Sequence, residues 1–192
     1  MTELGKLVEI SGSVFGFFEV YLRIKQNVLC WLFALLGTLL YIYIFFDAKL
    51  YADAFLQFYY LIMTIYGWYY WKKGGNNKQE LKVSQFNKIQ LLVILIVITL
   101  GTIITGYILL NYTDDPYPYG DAFTTVGAII GTWMMARKKI ENWLIWIVVD
   151  AVCVIIYYKK GLYPTTILYS VFTIMATLGY IKWKKDLLIN KI

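Results

Sequence analysis

The sequence predicts an all-α polytopic membrane protein with seven transmembrane helices, and three observations carry that prediction. Of the 192 residues, 60% are hydrophobic and only 16% charged, against about a quarter charged in soluble chains. The charges are gathered in short clusters, leaving apolar runs near the ~20 residues that a helix needs to cross a hydrocarbon core of ~30 Å. The chain also repeats itself: Gly67, Trp71, Lys72 and Lys73 recur as Gly179, Trp183, Lys184 and Lys185 at identical spacing. No stretch is long and polar enough for a second, soluble domain, so residues 1–192 read as one transmembrane domain.

The spans fall at roughly 8–24, 28–46, 50–71, 88–112, 119–136, 141–158 and 162–183. Glu9, Glu19 and Arg23 interrupt the first. Glu19 and Arg23 stand four residues apart, the spacing of an ion pair on one helix face, which makes Glu19 a structural partner before it is a coupling site. The fourth span, LLVILIVITLGTIITGYILL, has no polar face and suits a lipid-facing or scaffold helix. The Gly/Asn-rich basic segment KKGGNNKQELKVSQ precedes it as the one clear linker. The acidic N-terminus MTELGKLVEI has no A-x-A-like site, so no cleaved signal peptide is expected.

Loop charges set an orientation. Arg23 and Lys25, the linker from Lys72 to Lys88, the turn Arg137–Lys139 and the tail Lys182, Lys184, Lys185 and Lys191 are basic. The alternate connections carry Asp47 and Asp53, then Asp114, Asp115 and Asp121. The positive-inside rule then places the N-terminus outside and the C-terminus in the cytoplasm. Lys159 and Lys160 run against it. The net charge of +6 belongs to these loops, so topology accounts for it and nucleic acid is not an expected partner.

The repeat decides the architecture expected. The spacing that pairs Gly67 with Gly179 also pairs Leu50-Tyr51 with Leu162-Tyr163 and Met63 with Met175. An offset of about 115 residues pairs Asn27 with Asn142, Trp31 with Trp146, and Gly12 and Gly16 with Gly127 and Gly131. Two three-helix copies, about 8–73 and 119–185, therefore flank a linker helix at about 87–112. Loop charges give both copies one orientation, which demands an odd number of linking spans. Parallel repeats of this kind occur in transporters, with the substrate site near the midplane. The GxxxG pairs read as places of close helix approach.

Polar groups inside spans are functional candidates. In ENWLIWIVVD, Asn142, Trp143, Trp146 and Asp150 share one broad helical face. Two indoles on adjacent turns suit a flat heteroaromatic ring, and their quadrupoles favour a cationic one. Trp143 also fits the interfacial aromatic belt, and Asp150 a bond to a neighbouring helix. Gln57, Tyr60 and Thr64 recur at helical spacing in the third span. Tyr169 and Thr173 do so in the seventh, where Tyr169 takes the repeat position of Gln57. They offer hydrogen bonds to hydroxyls or an amide, or to other helices. There is no histidine, Cys30 and Cys153 lie far apart in apolar stretches, and no metal-ligand spacing, nucleophile–base pair, P-loop or dinucleotide fingerprint occurs. Neither catalysis, metal nor cofactor is expected. A lipid-active membrane enzyme would cluster acids or histidines at one interface, and a non-transporting subunit or receptor would need no polar stripe at mid-span.

LYADAFLQFYYLIMTIYGWYYW, RKKIENWLIWIVVDAVCVIIYYKKGLYPTTILY and the closing LGYIKW resemble the PnuC family of vitamin transporters. Trp143 and Trp146 match its W-x-x-W region. The resemblance implies a three-plus-one-plus-three fold like a full-length version of the SWEET sugar facilitators, in the bacterial inner membrane. It implies uptake of nicotinamide riboside by facilitated diffusion, with a cytoplasmic kinase trapping the substrate. Similar members carry thiamine, and others are associated with riboflavin. Related bundles trimerise, so the resemblance extends to a homotrimer. Nicotinamide riboside and thiamine are both flat, cationic vitamins, and an aromatic pair with a buried acid suits either.

Overall fold

The computed structural model describes residues 3–47, 51–74 and 81–189, with side chains from residue 11 on and excluding those of 47 and 51–55. The side chains of Glu9, Asp47, Tyr51 and Asp53, the linker centre 75–80, Leu50 and Lys191 lie outside the described residues. Seven helices are found among them: α1 (Glu3–Ile24), α2 (Cys30–Asp47), α3 (Tyr51–Lys73), α4 (Lys88–Tyr112), α5 (Pro118–Ala136), α6 (Asn142–Lys159) and α7 (Tyr163–Ile189). The fold is all-helical. Helix α1 begins earlier than expected and α7 runs on to Ile189; the other limits fall within about two residues of those read from hydropathy. Helices α4, α6 and α7 are each long and apolar enough to cross a membrane on composition alone. The chain forms two compact units, Met1–Lys82 with α1–α3 and Val83–Ile192 with α4–α7.

Local chemistry marks the helix ends. Asn87 and Gln90 close a reciprocal capping box at the start of α4, which satisfies two orphan donors. Pro118 opens α5, where its missing N–H costs nothing, and Asp121 sits in that first turn. Between α6 and α7 the chain turns at Gly161 with φ of +72°, a conformation that glycine adopts without strain.

Two turns are matched bond for bond. Gln26 and Lys138, 112 residues apart, both take left-handed φ, +56° and +48°. Gln26 N donates to Arg23 O and Lys138 N to Met135 O, each at 3.0 Å. Asn27 N reaches Leu22 O at 2.9 Å, and Lys139 N reaches Met134 O at 3.0 Å. Cys30 N to Asn27 O and Asn142 N to Lys139 O are both 3.1 Å. The α1–α2 and α5–α6 turns thus share one geometry in a register of 112 residues. The register of 115 is corrected by this result. Trp31 corresponds to Trp143, not Trp146, and Asp150 corresponds to Thr38.

Packing inside each unit follows the same register. Trp31 lies against Gly67, where a Cβ would collide with its ring, and crosses Trp71 at 5.5 Å and 87°. Trp143 lies against Gly179, where a Cβ would come within 2.7 Å, and crosses Trp183 at 5.4 Å and 88°. Large and small residues trade places elsewhere. Phe15 of α1 faces Gly37 of α2, whereas Gly127 of α5 faces Val149 of α6. One member of each pair stays a glycine while the side that carries the bulk changes, so the helices can still approach closely. In lipid, such fit takes the place of the hydrophobic drive between helices.

Helix α4 packs on α5, with Val126 at Gly101 and Tyr119 at Gly106. Only Ile98 and Gly106 of α4 are buried, and most of its other Ile, Leu and Val side chains are exposed.

Candidate functional site

The start of α6 is held by the segment before α4. Ser84 N donates to Lys138 O at 3.0 Å, Ile140 N to Ser84 O at 2.9 Å, and Phe86 N to Glu141 Oε1 at 2.9 Å. Phe86 stacks on Trp133 at 6.0 Å and 13°, and Lys139 Nζ sits 4.7 Å over Phe86. This strap clamps the turn that aims α6. Neither it nor the role of Glu141 is legible from hydropathy, because a single bridge leaves no periodic pattern.

From that turn the four α6 candidates diverge. Asn142 is fully buried, and its Nδ2 donates to Lys139 O. Its Oδ1 has no partner among the described residues. Trp143 is 1% exposed, walled in by Gly179 and Trp183. Trp146 instead faces α5, where the absent side chain of Gly131 leaves it room, and its Nε1 is buried without a partner among the described residues. The expected pair of indoles facing one ligand is therefore split in this structure. Trp143 is enclosed by protein between Gly179 and Trp183, whereas Trp146 lies against α5; the Nε1 of each is buried without a partner among the described residues.

Asp150 lies one turn beyond Trp146 and is 4% exposed. Among the described residues no ion pair is recorded for it. Cys153 and Ile156 continue its buried face. Further along, Tyr157 meets Tyr169 of α7 at 5.1 Å between ring centroids. The structure therefore brings the α7 candidate to α6, through a tyrosine that reads in the sequence only as the end of a span. Thr173 Oγ1 donates to Tyr169 O at 2.9 Å, one rung of a ladder with Thr166, Ser170 and Thr177. Its proton is used within its own helix, leaving its oxygen as an acceptor.

Gln57, Tyr60 and Thr64 belong to the other unit. Gln57 and Tyr60 are half-buried on α3, with Tyr60 against Tyr59 at 5.5 Å. Thr64 is buried, as is Thr38 on α2. Glu19 pairs with Arg23, whose guanidinium lies 5.0 Å over Trp31. The acid and base of α1 thus form the structural pair that their spacing predicts.

At the opposite end of α6 from the strap, Lys160 Nζ bonds Asp121 Oδ2 at 2.7 Å and lies 3.7 Å from Asp115 Oδ1. Partial burial works against its ammonium charge. The hydrogen bond to Asp121 and the charges of both acids outweigh that and raise its pKa above the usual lysine value. Lys160 runs against the loop-charge rule, and it stands among acids that offset it.

Apolar helices that bury an acid and an indole N–H, neither with a partner among the described residues, have the make-up of an integral membrane carrier. The family model described as nicotinamide mononucleotide transporter matches residues 6–185, and the chain belongs to that family. Nicotinamide riboside transporter PnuC of Escherichia coli is 26% identical over 201 residues, covering 92% of this chain and 84% of that protein. Riboflavin/roseoflavin transporter RibM of Streptomyces davaonensis is 24% identical over 180 residues, covering 91% and 83%. In fold, the chain is similar to the crystal structure of the vitamin B3 transporter PnuC, with a TM-score of 0.73 over 95% of this chain and 83% of that one, at 24% identity. The protein is a multi-pass inner-membrane transporter and not an enzyme.

Proposed function

We propose that this transporter takes up nicotinamide riboside by facilitated diffusion, and that cytoplasmic phosphorylation traps the substrate. The observation that carries the substrate class is Asp150, buried one turn from Trp146 with no recorded ion pair among the described residues. A carboxylate is expensive in a low-dielectric interior unless a cation meets it. The pyridinium of nicotinamide riboside supplies that charge and a flat ring for the Trp146 face. A neutral isoalloxazine, as in riboflavin, brings no positive charge to meet Asp150. Tyr157, Tyr169 and Thr173 offer the groups to hold amide and ribose oxygens, and Asn142 Oδ1 is an acceptor without a partner among the described residues. Trp143 supports this face from behind.

The proposal includes the architecture. Helices α1–α3 and α5–α7 are two copies of one unit, which the matched turns and tryptophan crossings support. Helix α4 is the single extra crossing that gives both copies one orientation, N-terminus outside and C-terminus in the cytoplasm. A homotrimer is the assembly carried with it.

Calorimetry on the purified protein tests the substrate. Nicotinamide riboside is expected to bind and riboflavin not to. Binding of thiamine alone would keep the cationic site and change the vitamin; binding of riboflavin alone would overturn the reading. Vesicle uptake tests the mechanism: substrate equilibrates without a gradient, and a kinase with ATP inside raises total accumulation. Accumulation of unmodified substrate that collapses with an uncoupler would refute facilitated diffusion and turn attention to Glu19.

A further inference from the structure

The unit of α1–α3 carries a concavity that shares only Thr64 with the candidate transport residues. A groove of about 720 Å³ runs along α3 beside α2, lined by Leu35, Thr64, Ile65, Trp68, Tyr69, Lys72 and Lys73. Ile65 and Tyr69 are 61% and 56% exposed, large apolar side chains turned out of the unit. Thr64 is buried. At one end stand the exposed Lys72 and Lys73, with Lys73 Nζ 4.8 Å over the Tyr69 ring. From Thr64 to Lys73 the helix rises about 13 Å, close to the apolar depth of one leaflet in a core of ~30 Å.

We propose that this groove holds an anionic phospholipid, its phosphate on Lys72 and Lys73 and an acyl chain along Leu35, Ile65, Trp68 and Tyr69. The chemistry at the two ends selects this occupant. Two ammonium groups repel a cationic vitamin and attract a phosphodiester, and basic pockets beside transmembrane helices take anionic head groups for that reason. The apolar trough suits a hydrocarbon chain and gives a soluble anion nothing beyond the lysines. Zwitterionic head groups bring no net charge to the pair, so the site prefers phosphatidylglycerol to phosphatidylethanolamine.

The other unit supplies the control. In the 112-residue register, Lys72 and Lys73 become Lys184 and Lys185, whereas Thr64, Ile65 and Tyr69 become Ala176, Thr177 and Ile181. The basic pair is kept and the trough is rebuilt. Lys72→Gln/Lys73→Gln and Lys184→Gln/Lys185→Gln remove equal charge, so only a groove-specific site separates them.

Native mass spectrometry on the full-length protein, released from detergent with phosphatidylglycerol or phosphatidylethanolamine added, reads the site directly. Wild type and Lys184→Gln/Lys185→Gln are expected to retain phosphatidylglycerol over phosphatidylethanolamine. Lys72→Gln/Lys73→Gln loses at least fivefold of that retention, and Lys72→Arg/Lys73→Arg restores it. Soluble glycerol phosphate does not compete. Equal loss in both glutamine variants, equal retention of the two lipids, or full competition by glycerol phosphate would each overturn the proposal.

Discussion

Trp143 meets Trp183 edge to face with ring centroids 5.4 Å apart and planes at 88°, and Trp31 meets Trp71 at 5.5 Å and 87°. One crossing pins α6 to α7 and the other α2 to α3, each over a glycine that a larger residue cannot replace. Trp31 and Trp143 are both essentially unexposed. Truncating either to Ala should therefore lower stability by a similar amount, about 3–5 kcal/mol by analogy with buried aromatics in soluble cores. Thermal unfolding in detergent measures it. Affinity per folded molecule should stay within a few-fold for Trp31→Leu and Trp143→Leu. A stable Trp143→Leu protein that no longer binds would show that Trp143 touches substrate.

Gly131 makes the room for Trp146. A Cβ there would lie 3.2 Å from the indole Cε2 and Nε1, tighter than ordinary contact. Gly131→Val should push the ring off its position and weaken ligand binding roughly tenfold, about 1.4 kcal/mol. Gly37→Ala is a suitable comparison, since the nearest atom to its Cβ is Phe15 Cβ at 3.9 Å. It should leave both fold and binding near wild type. Fluorescence of Trp146 and calorimetry report the two effects separately.

Orientation is open to thiol labelling. A cysteine at Gly74 should be shielded from an impermeant reagent in intact cells, and one at the exposed Asp114 should react. Native Cys30 and Cys153 are buried and give little background. The reverse pattern would invert the proposed topology.

Lys160 predicts a pH effect with a definite sign. Its pKa is raised in the folded protein, so its contribution to stability is complete below the unfolded lysine value of about 10.4 and is lost as pH rises through the folded value. The melting temperature of wild type should fall more steeply above pH ~10 than that of Lys160→Met. The difference is small, because the side chain is partly solvent-exposed. Parallel curves would mean that the bonds to Asp121 and Asp115 do not persist in solution.

Seven apolar runs and segregated charges made the helices legible, because length and hydropathy act locally. Register was harder. Asn27 and Asn142, or Trp31 and Trp146, match by residue type at about 115 residues, yet the backbone turns at Gln26 and Lys138 match at 112. Packing selects position rather than identity: Cys30 stands where Asn142 does, and both are fully buried. Trp143 and Trp146 share a helical face by spacing, but Gly179 and Gly131 draw them to different neighbours, and no rule of periodicity sees those glycines. Tyr157 was hidden for a similar reason, since its partner Tyr169 lies on another helix.

Asp150 takes the position that Thr38 fills in the other unit, and both side chains are buried. A hydroxyl there satisfies itself cheaply; a carboxylate needs a cation or a high local price in desolvation. If Asp150 recognises the pyridinium, Asp150→Asn should weaken nicotinamide riboside binding strongly and barely change binding of its neutral dihydro form. Trp146→Ala should weaken both, and more for the cation, because ring stacking acts on either while the quadrupole favours positive charge. Losing one stack on a desolvated cation costs on the order of 1–2 kcal/mol, roughly tenfold in affinity. Calorimetry on monodisperse variants with both ligand forms decides it. Should Asp150→Asn reduce both forms equally, the acid is a structural group, and the cation must be met elsewhere in the fold.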